Sequence, residues 1–216
     1  MLKTRRARRS MFAGLAGLVL ALAASAPASA GVYATNDITS GHIDIVNIEC
    51  PSSPSLALTT KLDSGTPINP TDLHNYAFVY QDASSSYVSW VPTAGSAGYW
   101  LVDISSSTMY TAPWVGFNFN GSCAGSGDVW LSSASSANPG RVELRNSGGS
   151  VILNTALPSL EYALASGQHT HFQWRFYASS KPTAAATYQL YFGYGNDNGA
   201  PLSTQNYLQA KFVIVP

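Results

Sequence analysis

Alternation, rather than helical periodicity, organises this chain. After residue 30 no segment keeps apolar residues at i, i+3, i+4 and i+7 over three turns, whereas runs alternating apolar and polar residues recur. The pattern predicts strands at Gly41–Cys50, Ser55–Leu62, Tyr76–Tyr80, Tyr99–Ile104, Trp114–Phe119, Gly140–Asn146, Val151–Leu153, His169–Tyr177, Thr187–Tyr194 and Tyr207–Val215. Clusters of Ser, Gly, Pro and Asn separate them, as at Pro51–Pro54, Asp82–Ser86, Gly121–Gly127, Asn146–Ser150 and Gly195–Pro201. Pro70–Leu73 can form one helical turn, and Leu157–Ala165 a short helix or an irregular crossover. About ten short strands with turn signals predict an all-β fold, a single antiparallel β-sandwich of immunoglobulin-like or jelly-roll-like type.

The first thirty residues read differently. Lys3, Arg5, Arg6, Arg8 and Arg9 form a basic start, Met11–Ala24 is an uncharged apolar run, and Ala28-Ser29-Ala30 is a small-residue cleavage site. Residues 1–30 are therefore expected to be a signal peptide, since the apolar run is too short to span a membrane. Arg8-Arg9 leaves twin-arginine export open beside the general secretory route. The expected mature domain is 31–216, secreted, extracellular or cell-surface associated. It ends in Phe212–Pro216, which reads as a last strand without a sorting signal or apolar tail, so no transmembrane segment is expected in it.

Removal of the signal leaves six basic against eleven acidic side chains. Such a balance offers no basic surface on the scale that nucleic acid requires, so nucleic acid is not an expected partner. An oxidising exterior favours a disulfide between the two cysteines, Cys50 and Cys123; two free buried thiols are the alternative. The loop that the bridge closes is about 72 residues, for which the chain-entropy estimate is roughly 4 kcal/mol.

The segment that carries candidate chemistry is Gly167-Gln168-His169-Thr170-His171-Phe172-Gln173-Trp174-Arg175-Phe176. Read as one strand, it places Phe172, Trp174 and Phe176 on one face and His169, His171, Gln173 and Arg175 on the other. The two histidines then lie about 7 Å apart along one side, a spacing that suits imidazoles converging on one metal. Near the start, His42 and Asp44 share a face opposite Ile43 and Ile45. The candidate metal set is His42, His169 and His171 with Asp44 as fourth ligand. Gln173 is the candidate for bracing those ligands from behind through its carbonyl. The expected ion is Zn or another divalent transition metal. His74 lies in a turn-like context outside these patterns. Most of the five tryptophans and twelve tyrosines are expected in the core or covering strand faces.

Several motifs together resemble one family. Gly41-His42-Ile43-Asp44-Ile45 and the late Gly-x-His-x-His strand are similar to the two hallmarks of the actinobacterial surface-anchored repeat domain, also called choice-of-anchor M. Between them, Pro113-Trp114-Val115-Gly116-Phe117-Asn118 and Pro139-Gly140-Arg141-Val142-Glu143-Leu144 resemble intermediate segments, and Thr187-Tyr188-Gln189-Leu190 a later strand. Gln173 stands where that family usually has Asn, Arg175 where it has a small residue, and Lys181–Ala186 lacks its Pro-Gly turn. The resemblance implies an exported, non-enzymatic protein. It also implies a receptor role beside a metal-type ABC transporter, with a cell-surface protein or the transporter's substrate-binding component as partner.

Enzyme chemistry finds little support in the residues. His-Glu-x-x-His and Gly-x-Ser-x-Gly are both absent. Gly31, not histidine, would begin the mature chain, which excludes a histidine-brace copper site. The competing expectation is glycan or protein recognition by the aromatic and Tyr-rich surface without metal, and a purely structural surface protein is a third. Convergence of His42, His169 and His171 within about 4–5 Å of a common point favours metal.

Overall fold

In a computed structural model, residues 32–52, 55–63, 65, 67–82, 86–103, 110–195 and 207–216 are described. The expected signal peptide lies outside them. The strands are β1 (Asn36–Ile38), β2 (Gly41–Ser52), β3 (Ser55–Leu62), β4 (Pro67–Ile68), β5 (Tyr76–Gln81), β6 (Val88–Pro92), β7 (Gly98–Val102) and β8 (Pro113–Phe119). They continue with β9 (Ser126–Ser133), β10 (Val142–Arg145), β11 (Val151–Asn154), β12 (Glu161–Ala165), β13 (His169–His171), β14 (Gln173–Ala178), β15 (Ala186–Gly195) and β16 (Tyr207–Val215). One 3₁₀ turn, Leu73–Asn75, stands just after the helical turn expected at Pro70–Leu73.

These strands form three sheets, ordered β1-β5-β16-β15-β9-β12, β11-β10-β14-β7-β6 and β13-β8-β2-β3-β4. Most pairings are antiparallel; β1–β5, β5–β16 and β2–β8 are parallel. The six-stranded sheet packs one face against both five-stranded sheets, giving a sandwich. Phe117 of β8 meets Phe192 of β15, and Trp174 of β14 meets Phe192 and Phe212. Tyr80 of β5 meets Phe176 of β14. Alternation explains the seam: Tyr188, Leu190 and Phe192 of β15 are fully buried while Thr187, Gln189 and Tyr191, which alternate with them, are partly exposed. Each large side chain so buried contributes about 1.5–3 kcal/mol.

Three expectations are corrected. Leu157–Ala165 ends in an edge strand, β12, paired with β9 through Tyr162↔Val129. Leu164 alone in β12 is buried, too few apolar positions for a helical face. The strand β9 itself falls where the sequence reads as a glycine-rich turn and a tryptophan of unassigned role. The expected strand His169–Tyr177 is two: β13 pairs with β8, and β14 pairs with β10 and β7. The chain changes sheets at Phe172, whose buried ring packs on Phe117 at 4.7 Å and Tyr162 at 5.3 Å.

A bulge in β2 decides which of its residues face outward. Asp44 pairs with Gly116 but Val46 with Phe117, so β2 carries one extra residue. Ile43 and Ile45 face the core before it, and Val46 and Ile48 after it. His42, Asp44, Asn47 and Glu49 stay on the opposite face. The disulfide Cys50–Cys123, with its Cα atoms 5.5 Å apart, ties the end of β2 to the turn after β8.

Candidate metal centre

The site stands on three adjacent strands, with β8 between β2 and β13. Neighbouring strands are about 4.8 Å apart, so side chains from β2 and β13 can meet only across the strand between them. Gly116 makes this crossing feasible. It is the register partner of Asp44 on one side and of His171 on the other. A Cβ at Gly116 would lie 2.5 Å from His171 Nδ1 and collide with the Thr170 carbonyl. The missing side chain is the space that the His171 ring occupies.

Over this gap three imidazoles converge. His42 Nε2 lies 3.0 Å from His169 Nε2 and 3.1 Å from His171 Nε2, and the latter two are 3.1 Å apart. Asp44 Oδ1 is the fourth corner, 3.0 Å from His169 Nε2 and 3.5 Å from His42 Nε2. The four donor atoms all lie within 4.8 Å of one another, a group that could hold a metal ion.

Hydrogen bonding alone cannot satisfy this triangle. Each Nε2 of a neutral imidazole is either a donor or an acceptor. With three nitrogens and two roles, at least one contact sets like against like. A cation at the centre satisfies every lone pair together. The nitrogen face has suitable dimensions: three Nε2 atoms ~3.1 Å apart admit a centre ~1.9 Å from each, near the Zn–N distance of about 2.0–2.1 Å.

The local sequence aims each ligand. Gly41 has φ of 107°, a conformation that favours glycine, and a Cβ there would lie 3.1 Å from Asp63 Oδ2. In that space the Asp63 carboxylate accepts the His42 backbone N–H at 2.8 Å. Its other oxygen stands 3.6 Å from His42 Nδ1, on the ring edge away from the site. A carboxylate behind a ligating imidazole holds the tautomer and orientation that leave Nε2 free. His171 is stacked on Trp114, with ring centroids 3.6 Å apart and planes at 7°. Its Nδ1 is buried and has no hydrogen-bond partner among the described residues. Beside the site, Asn118 donates to Asn47 Oδ1 at 2.8 Å, and Asn47 donates to Thr59 Oγ1 at 2.9 Å and Glu49 Oε1 at 3.0 Å. This chain of amides couples β8, β2 and β3 beneath the ligands.

Electrostatics favour metal-ready states for one ligand and tension for another. Burial, followed by the His42 and His169 charges, lowers the His171 pKa to about 3, against a weaker upward pull from the Val115 and Trp114 backbone. His171 is thus neutral, the form that ligates. Burial raises Asp44 above the usual carboxylate range, with His42, His169 and Lys61 acting against it. Its side chain is only 5% exposed, whereas His169 is 45% exposed and forms the open side of the site.

The structure thus brings together His42, Asp44, His169 and His171, from positions more than a hundred residues apart. It does not bring Gln173 with them. Gln173 belongs to β14 in another sheet, where its Oε1 accepts from Arg175 at 3.2 and 3.3 Å. The change of sheets at Phe172 separates it from the histidine face. His74 is apart as expected, its Nδ1–H donating to Thr71 O at 2.6 Å. Trp100 and Trp174 are buried, and Trp90, Trp114 and Trp130 are partly exposed on strands, in line with core packing or strand-face cover for the tryptophans. Sequence reasoning missed the parts played by Gly116, Trp114 and Asp63. The first two stand in the Trp-Val-Gly-Phe segment, where a glycine inside a strand signals close approach. Asp63 carries no local signal. Comparison with protein families yields no match, and no curated protein matches the chain.

Proposed function

We propose that this protein is an exported, non-enzymatic module that binds one divalent transition metal through His42, Asp44, His169 and His171. The observation that carries the reading is the triangle of Nε2 atoms with 3.0–3.1 Å sides, capped by the Asp44 carboxylate. Three imidazoles and one carboxylate suit Zn²⁺ better than ions that demand octahedral oxygen shells. Four protein donors also fill a tetrahedral ion, and catalytic zinc sites keep one position for water. That supports binding over hydrolysis.

Exposure of His169 on the short edge strand β13 supports exchange of the metal with solvent rather than permanent burial. Together with the resemblance of the Gly-His-Ile-Asp and His-Thr-His segments to choice-of-anchor M proteins, it favours a receptor that hands metal to a cell-surface transporter component. The test is metal content. The chain starting at Gly31 is dialysed against micromolar Zn²⁺ and analysed by mass spectrometry, beside His169→Ala and His171→Ala. One equivalent in the parent and a loss in both variants is expected. Equal, negligible metal in all three ends the proposal.

A further inference from the structure

A second site stands on a different sheet. The chain after residue 31 has three arginines, Arg141, Arg145 and Arg175, and all three lie on one face of the β11-β10-β14-β7-β6 sheet. Arg145 and Glu143 are on β10, Arg141 just before it, and Arg175 on β14 as register partner of Glu143. The remaining basic residues, Lys61, Lys181 and Lys211, are elsewhere. In a chain with an acidic excess this is a concentrated cationic face.

The arginines are braced rather than loose. Glu143, 4% exposed, accepts from Arg141 Nε at 3.0 Å, Arg145 Nε and Nη2 at 3.2 and 2.9 Å, and Tyr177 Oη at 3.0 Å. Arg145 is the most engaged, each of its three nitrogens donating once, because its Nη1 also donates to Gly149 O at 2.6 Å. The other two donate through fewer nitrogens. Arg141 donates through Nε alone and lies over the Tyr177 ring at 3.5 Å. Arg175 gives Nε and Nη2 to Gln173 Oε1 and lies over Tyr99 at 4.7 Å. Tyr177 and Tyr99 are register partners, with ring centroids 5.0 Å apart. Two guanidinium groups are therefore held on adjoining aromatic rings, with terminal N–H groups that make no hydrogen bond among the described residues. Arginine in this state suits planar oxyanions, and prior fixation lowers the entropy cost of binding them.

We propose that this face binds a carboxylate-bearing polysaccharide, with Arg141 and Arg175, held over Tyr177 and Tyr99, each taking a carboxylate. Charge complementarity supplies the anion. The sheet supplies the choice of polymer. A peptide added to the sheet as a further strand needs an unpaired edge, and β14 is paired on both sides. Guanidinium forks are what this face presents, and a chain of sugar acids repeats a carboxylate along its length to meet both.

The experiment is calorimetric titration of the chain starting at Gly31 with polygalacturonate oligosaccharide, beside neutral dextran and poly-L-glutamate, at low and high salt. Binding to polygalacturonate that weakens with salt, with little to dextran, is expected. R141Q/R175Q should weaken it at least tenfold. R141K/R175K, which keeps the charge and removes the fork, should also weaken it several-fold. Near-ultraviolet circular dichroism and retained zinc binding show that the variants are folded. No binding by the parent, unchanged affinity in R141Q/R175Q, or equally tight binding of poly-L-glutamate overturns the proposal.

Discussion

Gly116 and His171 are register partners on β8 and β13, and the ring of one fills the space where the other would carry a side chain. Gly116→Ala therefore strikes the site without touching a ligand. The added methyl collides with Thr170 O and His171, so the ring must leave Trp114 or β13 must shift. The expected result is at least a tenfold loss of zinc affinity by calorimetry, with about 1–3 kcal/mol of destabilisation in denaturant. Unchanged affinity would show that His171 does not need this seat.

Asp63 acts behind His42. Its carboxylate accepts the His42 N–H and faces the ring edge opposite the ligating nitrogen. Asp63→Ala should weaken zinc binding by 10–100-fold, the usual effect of losing such a partner. Stability should change little, since the side chain is 60% exposed. Competition with a zinc chelator measures the affinity and a thermal melt the stability.

Glu143 sets an acid limit on the second sheet. Burial alone would raise its pKa, but hydrogen bonds from Arg141, Arg145 and Tyr177 outweigh burial and lower it below 4.5. Its unfolded form takes up a proton first as pH falls. The stability it supplies is thus complete above about 4.5 and is lost as pH falls through the lower folded value. Glu143→Gln should be less stable than the parent at pH 7 by about 1–3 kcal/mol. The gap should narrow toward pH 3 in urea melts. A gap that is constant with pH contradicts this assignment.

The disulfide links β2 to the turn after β8, the pair on which two ligands and Gly116 stand. Cys50→Ser/Cys123→Ser should lower unfolding stability by about 2–4 kcal/mol. Once folded, the double variant should still bind zinc, because β2–β8 pairing and the Asn47–Asn118 contact remain. Complete loss of zinc binding by folded variant would assign the bridge a larger part in the site.

The sequence showed some of this and hid the rest for physical reasons. Alternation placed Ile43 and Ile45 inward and His42 and Asp44 outward, since strand period fixes facing wherever one face is buried. It located His169 and His171 on one side of a strand for the same reason. It could not reveal that the strand changes sheets at Phe172, because Trp174 and Phe176 continue the same inward alternation in the next sheet. Gln173 was misplaced on that account. Asp63 reaches His42 only through the β2–β3 hairpin, and Trp114 reaches His171 only through β8–β13 pairing. Such contacts follow from register, which a single sequence does not print.

In the proposed centre, four side chains from β2 and β13 hold one ion. X-ray absorption at the zinc edge, on protein loaded with one equivalent, reads that shell directly. The prediction is four light ligands at about 2.0–2.2 Å with the outer-ring scattering of three imidazoles, lost together in a His42→Ala/His171→Ala variant. A shell of oxygens without imidazole scattering, or a spectrum the variant leaves unchanged, would contradict it.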